Sequence, residues 1–268
     1  MATLGTVYDA EPVPRDVDDI IADPDAERAT DGADRPARAP KARSKWLCGS
    51  VNDTAAEVVA AVFDQAEARD PGHSRTWVVL VDGAPHQIDL INTEAARRGV
   101  AVHIVIDIVH VLEYLWGAGH GLHESGDKTI EAWVAHTART VLAGDCGKAA
   151  TAIRAAAERA GIAAGHHKGI DDAVAYLTNK AEYLRYDTAL SAGWPIATGI
   201  IEGACRHLVK DRLDIAGARW GLSGAEAVLK LRALRANGDF DTYWAWHEQQ
   251  EFTRNHQARY RNTLSLAA

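Results

Sequence analysis

Three acids stand where they could do chemistry. Asp82 follows the apolar run Trp77-Val-Val-Leu-Val81, and Asp107 follows Val100-Ala-Val-His-Ile-Val-Ile106. Glu202 lies in Trp194–Gly221, WPIATGIIEGACRHLVKDRLDIAGARWG, ahead of Arg206, His207, Lys210, Arg212 and Arg219. Acids at the carboxyl ends of strands open into the crevice where α/β sheets bind ligands. Oxygen donors of this kind suit hard divalent cations. On an α-helix Glu202, Arg206 and Lys210 fall at i, i+4 and i+8 along one face. That face reads in two ways, as a solvated ion pair on a surface helix or as a metal-binding carboxylate beside a phosphate-binding stripe. Asp82, followed by Gly83, reads equally as a turn that caps the next helix. Asp107 and His110 are either a helix cap with a half-buried histidine or a pair facing one another across a first helical turn.

The elements that must position these acids follow from patterning. Thr3–Tyr8 is short, β-branched and aromatic and reads as a strand. Glu11–Arg43, rich in Asp, Pro, Ala and Arg without apolar periodicity, reads as a mobile connection. Asp53–Arg69 has helical spacing behind Asp53 as its expected N-cap. The continuous apolar runs before Asp82 and Asp107 predict strands buried on both faces, as at the centre of an open sheet. Helices are expected over about 87–98, 108–116, 130–142, 149–160 and 171–184, with Gly-containing breaks at 144–147 and 161–169. The His166-His167 pair has no spaced partners and reads as a loop. Thr198 and Glu202 open a further helix, 224–236 is amphipathic, and the Trp-rich 240–252 is expected to be a packing element. The basic tail, Arg254, Arg259 and Arg261, is either solvated or in contact with phosphates.

Composition narrows the function classes. The 268 residues allow one large domain or two small ones, and 47% are hydrophobic without a run long enough to span a bilayer. Cys48, Cys146 and Cys205 have neither disulfide-framework nor zinc-site spacing. No phosphate-binding or dinucleotide glycine loop is present, which disfavours ATP- or NAD-driven chemistry. The N-terminus lacks a basic-then-apolar leader, so a cytoplasmic protein with no membrane partner is expected. The net charge of −8 argues against nucleic acid as a partner, but ten acids crowd between Asp9 and Asp34 against only Arg15 and Arg28. From Gly203 onward bases outnumber acids by three, ten against seven.

Several ordered segments carry a family resemblance. WVVLVDGAPHQIDLI, HIVIDIVHVLEYLW, YLTNKAEYL, GWPIATGIIEGACRHLVKDRLDIAGARWG and AEAVLKLRALRANGDFDTYW resemble the ISKra-type branch of bacterial insertion-sequence transposases, from about Trp77 to Trp246. MATLGTVYD resembles a further segment of that family. The resemblance implies an α/β, RNase H-like fold, a mixed central sheet flanked by helices, with a helical insertion before the last catalytic helix. It also implies DDE chemistry, in which three carboxylates hold two Mg²⁺ (or Mn²⁺) ions for in-line attack on a DNA phosphate. Matched residue by residue, Asp82 is the second acid and Glu202 the third, both metal ligands. Asp107 and His110 match a D-x-x-H segment with a supporting role. Arg206, Lys210 and Arg212 would contact DNA phosphates, and Arg219 with Trp220 would grip an end base. The implied partners are transposon-end and target DNA, with the chain a homo-oligomer on DNA.

One departure limits the expectation. The family's first catalytic Asp sits on a strand just before the segment that MATLGTVYD resembles, so the chain reads as lacking that strand and acid. Asp9 does not match the first-acid motif. The expected organisation is a residual strand (1–10), an acidic connection (11–45), a core part (46–128), a helical insertion (129–193), the last catalytic helix with C-terminal helices (194–250) and a tail (251–268). As it stands the chain is expected to be an inactive partial transposase. The alternative is a non-catalytic DNA-binding or oligomerising remnant, with an unrelated metal-dependent phosphohydrolase as a third reading.

Overall fold

The computed structural model describes residues 2–25, 39–124 and 126–257 of the chain. They form two compact units, one drawn from residues 2–8, 44–66 and 200–257, the other from 9–25, 39–43, 67–124 and 126–199. The fold is mixed α/β, with far more helix than strand. No described helix is long and apolar enough to cross a membrane.

The unit holding Asp82 and Asp107 contains a parallel pair, β3 (Trp77–Val81) and β4 (Val102–Ile106), joined by α2 (Pro85–Arg98). This is a βαβ crossover, the form that parallel neighbours require. α2 starts on Pro85 at its first turn and stops at Gly99 in the left-handed conformation (φ 67°), a pairing of Pro start and Gly stop that fits helix termini. After β4 come α3 (Ile108–Leu122), α4 (Thr129–Leu142), α5 (Cys146–Arg159), α6 (Lys168–Asn179), a 3₁₀ turn at Ala181–Tyr183 and α7 (Tyr186–Ser191). Their apolar faces supply most of the core, including Val111, Leu115, Val141, Leu142, Ile153, Ile170 and Leu177. The helices expected at 130–142 and 149–160 are present; that expected at 171–184 begins earlier and ends at Asn179.

Two expectations change here. β3 is half-buried along four of its five residues rather than enclosed on both faces. Its physical reason is that β4 is its one strand partner among the described residues, in place of the expected central position in a larger sheet. The segment from Glu11 is also not a mobile connection over residues 11–25. Val13 N–H donates to Gly193 O and Arg15 N–H to Leu190 O, both at 3.0 Å, and Arg15 also reaches Trp194 O. Arg139 on α4 holds Asp18 at 2.7 Å and donates to Ile21 O at 2.5 Å. The remainder of that expected connection, 26–38, lies outside the described residues.

Asp70 organises the turn into β3. Its carboxylate accepts from Ser74 N–H and Oγ–H, Arg75 N–H and the Trp77 indole N–H at 2.9–3.0 Å. Those donors, Arg75 N–H and the Trp77 ring foremost, hold its carboxyl well below the usual carboxylate range. A depressed folded pKa gives stability that is present above the unfolded value of about 3.9 and is lost as pH falls below it. The wild-type chain should therefore lose more urea-unfolding midpoint between pH 7 and pH 3 than Asp70→Asn does. Equal losses would show that these donors confer no pH-dependent stability.

The other unit contains β1 (Thr3–Ala10) and β2 (Ala42–Ser50), which pair with one another, and α1 (Ala55–Arg69); each of these elements ends or begins just across the unit boundary. β2 falls where the connection was expected to end. α1 is capped by Thr54 rather than Asp53: Glu57 N–H donates to Thr54 Oγ1 at 3.3 Å while Glu57 Oε2 accepts from Thr54 N–H at 2.7 Å, a reciprocal capping box. α1 passes so close to β1 that a Cβ at Gly5 would sit 2.3 Å from Val62. Beyond these lie α8 (Gly199–Ala204), a π-helical stretch at Cys205–Lys210, α9 (Asp211–Leu213), α10 (Leu222–Asn237), α11 (Phe240–Phe252) and a second π-helical stretch at Thr253–Gln257. Ala204, Leu208 and Leu229 form its small core with Leu4, Leu47 and Ile201 packed around them. The Asn237 side-chain amide donates to Leu47 O (3.0 Å) and accepts from Leu47 N–H (2.8 Å), acting as a one-residue strand partner for β2. α11 is not a packing element: it buries no residue, and Trp244, Trp246 and Phe252 are exposed.

The expected single mixed sheet is not seen among the described residues, where two two-stranded sheets stand instead.

Candidate functional site

Asp82 and Asp107 emerge side by side because of strand register. Val81 pairs with Ile106 in the parallel ladder, so the next residue of each strand is an acid, and Asp107 N–H donates to Val81 O at 2.8 Å. Their environments then diverge.

Asp82 is exposed. Its Oδ1 accepts from Ala84 N–H at 3.0 Å, a local turn bond, and its other oxygen accepts no hydrogen bond among the described residues. Gly83 behind it takes φ 92°, and a Cβ there would meet the Tyr176 hydroxyl at 2.6 Å, so both backbone and space call for glycine. Tyr176 Oη–H donates to Asp82 O at 3.1 Å, tying the acid's backbone to α6. Asp82 therefore combines the turn role and an available carboxylate oxygen.

Asp107 is 1% exposed, and both of its carboxylate oxygens accept hydrogen bonds. One oxygen caps α3 by accepting from Val109 N–H at 2.8 Å. The other accepts from Thr198 N–H at 2.8 Å and from the Thr198 hydroxyl. Ile108 N–H donates to Ile196 O (3.0 Å) and the buried Tyr186 hydroxyl to Ile106 O (2.8 Å), so the end of β4 is stitched to residues 186–198. A buried carboxylate engaged in this way acts as a structural latch between α3 and Thr198. The residue it grips, Thr198, precedes Glu202 by four positions. Asp107→Asn keeps the volume and one acceptor but turns an amide N–H₂ toward a donor. It should cost about 1–2 kcal/mol of stability, read as a lowered urea midpoint, whereas an unchanged midpoint would deny the latch.

His110 does not face Asp107. Its Nδ1 lies 2.9 Å from Glu113 Oε2 on the same helix, with the His110 ring partly exposed and the Glu113 side chain largely so.

Glu202 and the bases belong to the other unit. Glu202 is exposed on α8, and its carboxylate makes no hydrogen bond or ion pair among the described residues. Of the two readings of this face, the solvated Glu202–Arg206 ion pair is thus not formed. Nor do Glu202, Arg206 and Lys210 share a regular α-helical face, because Cys205–Lys210 is π-helical. The wider turn changes the angular spacing that the i, i+4, i+8 argument needed, and such bulges recur at functional sites. Arg232 of α10 supports the stretch by donating to His207 O from Nε (2.9 Å) and from Nη2. Arg206, Lys210, Arg212 and Arg219 are exposed. Trp220 is 43% exposed and its indole N–H donates to Arg212 O at 3.1 Å, which fixes the ring against the end of α9. Of the tail bases, Arg254 pairs with Glu251 at 2.6 Å, while Arg259 and Arg261 lie outside the described residues.

Two features escaped the sequence. Asp23, Asp25 and His136 each bring one ligand atom within 4.8 Å of the others, an exposed group that could hold a metal ion. Its imidazole suits zinc or another transition ion better than Mg²⁺, and nothing in the spacing of residues 23, 25 and 136 signals it. Glu226 on α10 is a buried carboxylate that Ser50, Val51 and Lys230 surround. Its position on an amphipathic helix gave no sign of that.

Asp82 and Glu202 have the donor chemistry that Mg²⁺ prefers, oxygen atoms not consumed by internal hydrogen bonds. Compared with known protein families, curated proteins and solved structures, the chain matches none of them.

Proposed function

We propose that the chain is the DDE-type part of an insertion-sequence transposase on an RNase H-like scaffold, acting in DNA strand cleavage and strand transfer. The observation that carries this reading is the contrast at the strand ends. Two paired strands deliver acids to one edge, where Asp107 is consumed in holding the chain and Asp82 is left exposed with an available oxygen. Asp82 and Glu202, each within its own unit, offer carboxylates of the kind that would bind Mg²⁺, and such an ion would polarise the scissile phosphate and favour ionisation of the attacking hydroxyl. The chain's own residues do the rest. Asp107 secures the segment leading to Glu202, Tyr176 and Gly83 shape the turn beneath Asp82, and Arg206, Lys210 and Arg212 offer phosphate contacts.

The test uses a plasmid carrying the encoding locus with its flanking DNA. Cleavage is followed with Mg²⁺, Mn²⁺ and EDTA, using the chain as given and the chain extended by the codons immediately upstream. Metal-dependent cuts at the borders of the locus are expected from at least one form. Absence of cutting from both would reject the catalytic reading. The exposed bases of residues 206–219 favour the second reading, a DNA-binding remnant. That reading is identified by border DNA retained in gel shifts, with affinity falling steeply with salt and no cleavage.

A further inference from the structure

An open groove lies beside the loop that carries Asp82. α3 supplies Tyr114, one turn beyond His110, and α6 supplies Lys168, Asp172, Tyr176 and Asn179, with Lys180 directly after. The groove they line has a volume of about 380 Å³. Tyr114 and Tyr176 stack with ring centroids 4.0 Å apart and planes 20° from parallel. Both rings are half-buried, so the pair keeps aromatic surface toward the groove. Through its hydroxyl, Tyr176 also holds Asp82 O, which ties this platform to the candidate catalytic carboxylate within one unit.

The lining has the chemistry of a nucleotide. Lys168 pairs with Asp172, and Lys180 adds a second ammonium, so the lining itself carries two lysines against one aspartate, with the Asp82 and Glu113 carboxylates acting on Tyr176 from outside it. One phosphodiester carries one negative charge. Asn179 offers both a donor and an acceptor, which a base edge can use and an aliphatic ligand cannot. Aromatic rings receive any base by its π-face, whereas a paired base in a duplex has both faces covered.

We propose that this groove takes one unpaired nucleotide of the DNA substrate, its base extending the Tyr114–Tyr176 stack and its phosphate facing Lys168 and Lys180. The assignment of DNA as ligand rests on the function proposed above. It gives the groove a positioning task, since a nucleotide held there fixes the neighbouring backbone relative to Asp82.

Binding is read in EDTA, so that cleavage plays no part, with a short oligothymidylate carrying a single 2-aminopurine. Wild-type chain should quench the reporter on binding, and a blunt duplex of the same length should compete weakly. Tyr114→Ala should weaken binding about tenfold and remove the quenching, and Tyr114→Phe should retain both. Lys180→Ala should flatten the salt dependence by somewhat less than one unit of slope, as expected for one contact on a single strand. The same melting curve for Tyr114→Ala and wild type is the check on folding; if that variant does not fold, Asn179→Ala with Lys180→Ala reads the groove instead. Undiminished binding and quenching in the folded variants would overturn the proposal, as would failure of wild type to bind the oligonucleotide. Groove binding without any border cleavage would sink the catalytic reading and leave the groove standing. Cleavage that Tyr114→Ala leaves intact, with no binding of the oligonucleotide, would do the reverse.

Discussion

Asp82→Asn and Glu202→Ala are each expected to lower metal-dependent DNA cleavage by about 10³-fold or more, in whichever form of the chain cuts the border DNA. Asparagine is the sharper choice at residue 82 because the side chain also has a turn role. Its Oδ1 can still accept from Ala84 N–H, the bond seen at 3.0 Å, so the turn into α2 is kept while the charge is removed. Alanine suffices at residue 202, which is exposed and makes no side-chain bond among the described residues. Neither change should move the thermal midpoint beyond what surface substitutions do, within about 0.5 kcal/mol. Mn²⁺ binding to the chain alone, followed by electron paramagnetic resonance, supplies a readout separate from turnover and should weaken in both variants. Full cleavage by a folded Asp82→Asn chain would remove Asp82 from the chemistry.

The sequence made these acids legible because their signals are local. An apolar run that stops at an acid predicts a strand end, and β3 and β4 stop at Val81 and Ile106, one residue short of Asp82 and Asp107. What each acid does there was not legible. Asp107 is engaged by Thr198, ninety-one positions away, and no spacing rule reports such a partner. The same limit explains the misreading of residues 11–25. Their Asp- and Pro-rich composition resembles a connection, yet Gly193, Leu190 and Arg139 supply distant hydrogen bonds that hold them. The π-helical stretch after Glu202 was hidden for a related reason. Its residues would serve an α-helix as well, and the donors that Arg232 sends to His207 O come from another helix. β2 escaped because Arg43, Ser44 and Lys45 are exposed and break the apolar alternation by which strands are recognised. Local chemistry thus announced where the elements end, and long-range polar contacts decided what the ends are for.

Glu226→Ala is expected to destabilise the unit formed around β1, β2 and α10 by about 2–4 kcal/mol. The carboxylate is 8% exposed. Ser50 Oγ–H donates to its two oxygens at 2.8 and 2.9 Å, Val51 N–H donates at 2.8 Å and Lys230 Nζ lies 2.8 Å away. Ser50 Oγ in turn accepts from Asn52 N–H and Asp53 N–H, at 3.0 and 2.7 Å. One side chain of α10 thereby fixes the whole turn from β2 into α1. Alanine would leave Val51 N–H and the Ser50 hydroxyl without their acceptor. Glutamine preserves an acceptor and should cost less than alanine, which separates the lost hydrogen bonds from the lost charge. Burial would raise this carboxyl, but the donors from Lys230, Val51 and Ser50 outweigh it and hold the pKa below the ordinary glutamate value. The sign follows: the contribution is present above the unfolded value of about 4.3 and disappears as pH falls below it. Urea unfolding at pH 7 should separate wild type from Glu226→Ala clearly, and the gap should narrow toward pH 3. A gap that is absent at pH 7, or that widens on acidification, would show that the Glu226 network does not hold this turn.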